Sequence, residues 1–210
     1  AGELALKAKE ISKKNVLIAG SLPAQNNTYV EDNRDNEIIE KDFLDQAVLI
    51  KPFIDFYYLD VLSSSNECLI AMNVVEKMNL PVLIGLHVKG NGKLPSNESI
   101  SEVVEKCKNK NSLGVILSCV SPEIIEKTIH EIKQLKIPFG YKANLWKIDE
   151  PLPHTAWQKK PGANPIKSMG TRKDYTGLNF LNFSKKMMRF GATILGGCCE
   201  IKPSHIKEIS

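Results

Sequence analysis

The stretch Gly114-Val115-Ile116-Leu117-Ser118-Cys119-Val120-Ser121-Pro122-Glu123, running on through Ile124–Leu135 to Ile137-Pro138-Phe139-Gly140-Tyr141, carries the fold in miniature. Its first apolar run is short and continuous instead of alternating, as expected of a strand covered on both faces. Ser121 then offers a helix cap and Pro122 a first helical residue, so the chain turns directly from strand into helix. A second apolar run follows the helix. Strand, helix and strand in this order join parallel neighbours, because a parallel connection needs a crossover of a dozen or more residues.

The same unit recurs on either side. Further strands are expected at Val16-Leu17-Ile18-Ala19-Gly20, Phe56-Tyr57-Tyr58-Leu59, Val82-Leu83-Ile84-Gly85-Leu86 and Ala192-Thr193-Ile194-Leu195-Gly196-Gly197. Helices are expected over Asn36–Pro52, Glu67–Met78, Ser99–Lys108 and Leu178–Phe190, the third opening on a capping-box pair, Ser99 and Glu102. Six strands in 210 residues give about 35 residues per unit, the spacing of an α/β (β/α)8 TIM barrel. An open doubly wound sheet is the alternative, but its Gly-x-Gly-x-x-Gly turn is missing: Gly90-Asn91-Gly92 leads into Lys93-Leu94-Pro95. The reading is one domain over residues 1–210, holding about six of eight barrel units, with two N-terminal units expected before Ala1. Ala1–Lys14 begins within a helical pattern and His205–Ser210 ends within one, so a fragment of a longer chain is expected.

Composition narrows the function classes. There are 28 basic and 24 acidic residues with no basic block, a poor match for nucleic acid or an anionic membrane. No apolar run approaches the roughly 20 residues of a membrane span. Five cysteines at irregular spacing argue against a disulfide framework and for a reducing, cytoplasmic setting. Long segments follow strand ends at Ser21–Arg34, Val88–Ser96 and Leu145–Lys173. The last holds Pro151, Pro153, Pro161 and Pro165 and reads either as a lid or as a surface excursion.

The chemistry concentrates in Gly196-Gly197-Cys198-Cys199. Neighbouring residues of a regular strand face opposite ways, so two adjacent thiols serve one site only where the backbone leaves the strand. The preceding glycines permit a bend and a close approach. Cys119 ends another strand, and in a parallel barrel all strand C-termini share one face, which brings Cys119 to Cys198 and Cys199. Three converging thiolates suit zinc, and three protein ligands leave one tetrahedral position open, as in catalytic zinc sites. The plain alternative is three packed or redox-active cysteines. Cys68 and Cys107 read as ordinary helix residues. His87, at a strand end, either points into the site or packs, and His130, His154 and His205 read as packing or surface residues.

The run Gly196-Gly197-Cys198-Cys199-Glu200-Ile201-Lys202-Pro203-Ser204-His205-Ile206 resembles the C-terminal signature of the homocysteine S-methyltransferase family, which includes the betaine-dependent enzymes and the homocysteine domain of methionine synthases. Ser118-Cys119-Val120-Ser121-Pro122 resembles its middle metal motif, where Asn-Cys is usual. Asp60 and Glu67 stand where the family has two Glu seven residues apart, and Gly20-Ser21-Leu22-Pro23 and Gly170-Thr171-Arg172-Lys173-Asp174 resemble further landmarks. The resemblance covers about Lys7 to Ser210. It implies a (β/α)8 barrel, zinc on Cys119, Cys198 and Cys199, and methyl transfer to the thiol of L-homocysteine from a small-molecule donor, giving methionine. No catalytic group beyond the metal site is implied. Asp60 and Ser118 become the candidate substrate-binding residues, Asp60 near the substrate amino group. The family's opening Asp-Gly-Gly strand has no counterpart, Ser118 replaces the usual Asn, Asp60 shortens a Glu, and Glu200 replaces a common Gly. Trp146 and Trp157 are candidates for cation–π contact with a cationic donor or for simple loop packing. A non-catalytic or incomplete barrel module is the competing reading of the whole chain, and self-association is compatible with it.

Overall fold

The computed structural model describes residues 1–160 and 162–210, so Pro161 of the expected long loop lies outside the described residues. The elements run α1 (Gly2–Ser12), β1 (Ala19–Pro23), α2 (Asn36–Ile50), β2 (Phe56–Leu62), α3 (Ser65–Glu76), β3 (Val82–Leu86), α4 (Ile100–Cys107) and β4 (Ser112–Val120). They continue with α5 (Pro122–Gln134), β5 (Phe139–Ala143), the short α6 (His154–Trp157) and α7 (Ile166–Met169), then α8 (Gly177–Phe190), β6 (Ile194–Gly197) and α9 (Pro203–Ile209). All six strands are parallel and pair in chain order, β1-β2-β3-β4-β5-β6. The result is a partial TIM barrel, a curved wall of six parallel strands with helices on its convex side. Among the described residues no helix is long and apolar enough to cross a membrane.

The helices start where the sequence caps them. Ser64, Ser99, Ser121 and Thr176 each accept a backbone N–H of the first turn, and Ser99 and Glu102 form the reciprocal box. The outward strand face packs Leu22, Tyr57, Leu59, Ile84, Leu86, Val115, Leu117 and Tyr141 against Ile39, Phe43, Val74, Ile125, Ile129 and Phe180 in one continuous core. Each such side chain contributes roughly 1.5–3 kcal/mol by leaving water. The inward face is different. Its lower layer is a small apolar cluster of Tyr58, Leu83 and Ile116 flanked by Phe56 and Ile194. Above it, toward the strand C-termini, the side chains turn polar.

The first strand begins three residues later than expected. Asp55 takes the Ile18 N–H on its carboxylate at 2.7 Å and donates its own N–H to the Ile18 carbonyl at 2.8 Å, so the ladder starts at Ala19 and leaves Val16 and Leu17 exposed. Helix α1 forms as expected but buries none of its residues, and is tied down by an ion pair between Lys9 and Asp55 at 2.9 Å. The 145–173 segment is a folded excursion with two short helical pieces, pinned by an antiparallel bridge between Trp146 and Thr171.

Candidate metal centre

Two irregularities, at the ends of β2 and β4 on either side of β3, build the site. Strand β4 bulges between Ser118 and Val120, where Cys119 takes a left-handed backbone with φ of 55°. Strand β2 bulges between Leu59 and Leu62, where Val61 has φ of 62°. Left-handed backbone is costly for a β-branched residue, and here the two bulges re-aim Cys119 and Asp60 at the strand C-termini. Asn144 holds the first bulge: its side-chain amide donates to the Cys119 carbonyl at 2.7 Å, and its own oxygen accepts the Trp146 N–H at 3.1 Å.

The third corner comes from β6. Past Gly197 the Cys198 N–H still donates to Ala143 at 2.7 Å, and the Cys199 carbonyl still accepts from Leu145 at 3.0 Å, so both cysteines stay fastened to the end of β5. The bend that lets two neighbouring thiols serve one place is a turn closed from Ile201 N–H to the Cys198 carbonyl at 3.2 Å, with Glu200 left-handed at φ of 64°. This refines the expectation for the two glycines. Gly197 matters for close approach, since a Cβ there would run into Ile201, whereas the left-handed residue is Glu200, the position that replaces a common Gly. The Glu200 carboxylate is in turn held by Thr171 at 2.7 Å.

Cys119, Cys198 and Cys199 offer sulfurs that all lie within 4.8 Å of one another, the one group of potential metal ligands among the described residues. Cys199 Sγ is 3.7 Å from each of the other two, and all three thiols are free. That donor set fits a soft or borderline divalent cation and leaves one tetrahedral direction to a non-protein ligand. Cys198 ionises most readily, because its thiolate accepts from the Cys119 and Cys199 thiols and faces the Lys142 ammonium, while the same thiolate pushes Cys119 up.

Around the sulfurs, Tyr29 from the segment after β1 sets its hydroxyl 3.2 Å from Cys119 Sγ and leans its ring on His87, with centroids 4.8 Å apart. His87 is buried, and its Nδ1 lies 3.2 Å from the Ser118 carbonyl. Burial pushes His87 down to about 4, so it is neutral at physiological pH and packs beside the sulfurs without adding charge. Ser118 is fully buried with its hydroxyl bonded to that of Tyr58. It therefore shapes the layer beneath the site, on the inward face it shares with Lys142. Gly85 makes room for that contact, since a Cβ there would meet both Ser118 Oγ and the Tyr58 ring. Asp60 accepts Lys142 Nζ on both carboxylate oxygens, at 2.7 and 2.6 Å, and Lys142 Nζ also sits 5.0 Å from the Tyr58 ring centroid.

A family model described as homocysteine S-methyltransferase matches residues 1–210. The chain belongs to that family. Among curated proteins it is 23% identical to homocysteine S-methyltransferase 3 of Arabidopsis thaliana, over 97% of this chain and 59% of that protein. It is 24% identical to homocysteine S-methyltransferase 1 of Brassica oleracea var. italica, over 78% of this chain and 47% of that protein. The chain thus spans about half to three-fifths of the length of these relatives. Among solved structures, the apo form of the homocysteine methyltransferase MmuM from Escherichia coli superposes with a TM-score of 0.70 at 12% identity, covering 99% of this chain and 67% of that one. A metallated form of MmuM gives 0.69 at 13% identity, over 99% and 65%. These likenesses establish the fold as a partial TIM barrel.

Within this homocysteine S-methyltransferase scaffold, Glu67 lies outside the sulfur cluster. It is fully buried under the segment carrying Asp32 and accepts from the Ser63 N–H at 3.2 Å and the Ser64 hydroxyl at 3.1 Å, leaving Oε1 without a partner. Burial raises it from 4.5 to about 7. Between those values the folded protein keeps a proton that the unfolded chain has released, so this carboxyl's contribution is greatest at low pH and falls as pH rises toward 7. Glu67→Gln removes the titration. Its unfolding free energy in urea, relative to the parent, should shift in the variant's favour by about 3 kcal/mol between about pH 4 and about pH 8. A difference that stays flat across that range contradicts the assignment.

Cys68 and Cys107 are buried helix residues, as expected. Trp146 is 4% exposed with its indole N–H unpartnered, which makes it a packing residue, and Trp157 sits edge-on to His154 at 5.0 Å. Lys142, Tyr29 and Asn144 are site residues that sequence reasoning missed. Only Lys142 had a visible signal, as a charged residue directly after an apolar strand run.

Proposed function

We infer that this protein transfers a methyl group to the thiol of L-homocysteine, forming methionine, with zinc held by Cys119, Cys198 and Cys199. The convergence of those three sulfurs at strand ends of a homocysteine S-methyltransferase partial barrel carries the reading. When bound, zinc supplies a fourth position at which a substrate thiol is kept ionised, which matters because a free thiol with a pKa of about 8.5 is mostly protonated at neutral pH.

The chain's own residues do the rest. Three thiolates make a divalent centre formally anionic, so a sulfur held there stays electron-rich. Asp60, whose family counterpart lies near the substrate amino group, offers a carboxylate on the same face. Neutral His87 and the Tyr29 ring close one flank against water, and the Tyr29 hydroxyl donates to Cys119, which trims that ligand's basicity. In the reaction the homocysteine sulfur forms the new S–CH3 bond as the donor's bond to that carbon breaks. The donor keeps the electron pair, and the thiol proton passes to solvent. In-line attack makes orientation the main demand on the protein.

The test is methionine formation by the zinc-loaded protein with L-homocysteine and, in parallel, S-methylmethionine, betaine or methyl-folate as donor. Turnover with one of these is the expected result. No methionine from any donor at full zinc occupancy would overturn the reading.

A further inference from the structure

Asp60 and Lys142 are the only charged residues in the six strands among the described residues. They occupy the same inward face. Asp60 lies two residues beyond Tyr58 on β2, and Lys142 is in register with Ser118 on β4 and Gly196 on β6. That puts Lys142 level with the residue before Cys119 and two residues short of Cys198, a spacing of one or two strand residues at about 3.3 Å each. The two side chains meet at 2.6 Å and keep 21% (Lys142) and 15% (Asp60) of their surfaces in contact with solvent, with the Lys142 ammonium over the Tyr58 ring. The Ser21 hydroxyl adds a third polar atom, 3.3 Å from the Asp60 carboxylate.

We propose that this pair is a two-point receptor for an amino-acid head group, in which Lys142 binds the substrate α-carboxylate while Asp60 takes the α-ammonium. The proposal rests on the functional reading above and assigns to it a residue and a selectivity. Charge balance is the argument. The pair is neutral as it stands and largely desolvated, with a small part of each side chain still in contact with solvent. A zwitterion adds one charge of each sign, so each partner gains an opposite charge and none is left buried alone. A thiol with an ammonium but no carboxylate brings a cation that competes with Lys142 for Asp60. A thiol with a carboxylate but no ammonium brings an anion toward three thiolates and frees nothing. Both half-ligands therefore lose more than one hydrogen bond's worth of affinity. Asp60 alone would prefer any amine-bearing thiol; the selectivity for the complete head group comes from Lys142.

The experiment is binding to the cobalt(II)-loaded protein, followed by the thiolate-to-cobalt absorption. Three thiols of equal chain length are compared: L-homocysteine, 3-aminopropane-1-thiol without the carboxylate, and 4-mercaptobutanoate without the ammonium. The unsubstituted protein should bind homocysteine about 30-fold more tightly than either half-ligand, as expected for a charge-assisted hydrogen bond. Lys142→Met should weaken homocysteine by about the same factor and abolish its advantage over 3-aminopropane-1-thiol, while Lys142→Arg should stay within about fivefold of the parent. Equal binding of homocysteine and 3-aminopropane-1-thiol by the unsubstituted protein overturns the proposal, and that measurement needs no variant to fold. Equal weakening of both thiols in Lys142→Met makes Lys142 a structural partner of Asp60 and also overturns it. If no thiol perturbs the cobalt spectrum at full loading, the functional reading falls, and this proposal with it.

Discussion

Replacing Cys119, Cys198 or Cys199 with Ala, one at a time, should leave the protein without stoichiometric zinc and lower methionine formation by about a thousandfold. With three ligands, each removal leaves two thiolates and two open directions, and the loss should exceed the 10–100-fold typical of a missing outer-shell partner. The fold should survive at Cys198 and Cys199, which lie beyond the last strand and are only partly buried, whereas Cys119 is buried near the end of β4 and its truncation should also cost some stability. Metal analysis by mass spectrometry, paired with circular dichroism on the same samples, separates loss of the ion from loss of structure. Full zinc content and unchanged turnover in all three variants would remove these sulfurs from the chemistry.

A comparably large effect is expected from a residue that touches no ligand. Gly140 on β5 lies in register between Ile116 and Ile194, and a Cβ there would overlap the Ile194 carbonyl. The neighbour is backbone, so relief requires moving the strand itself. Gly140→Ala should therefore separate β5 from β6, costing about 3 kcal/mol in unfolding free energy. Because Cys198 and Cys199 ride on the end of β6, zinc affinity should fall with it although all three thiols remain. Denaturant unfolding and zinc competition measure the two losses independently. Loss of stability with unaltered zinc binding would mean that the cysteine turn holds its place through Ala143 and Leu145 alone.

The parallel partial barrel was legible because its causes are local. Continuous apolar runs, Ser-x-x-Glu at 99–102 and Ser-Pro at 121–122 fix strands and helix starts within a few residues of sequence. The meeting of Cys119 with Cys198 and Cys199 followed from topology, since parallel strands place their ends together. What escaped depended on partners far apart. Lys142 finds Asp60 across 82 positions and Tyr29 finds Cys119 across 90, and neither pairing leaves a period in the chain. The left-handed backbones of Val61 and Cys119 run against the preference of those residue types, so only the register shifts that surround them reveal them.

The main-chain fastening of the cysteines has a thermodynamic corollary. The Asn144 amide on the Cys119 carbonyl, the Cys198 N–H on Ala143 and the Leu145 N–H on Cys199 fix the three sulfurs before any ion arrives. In small metal-dependent modules, ordering the ligands consumes much of the binding free energy. Here the sheet has already met that entropic cost, so an arriving cation finds a preorganised claw and retains nearly all of its intrinsic affinity.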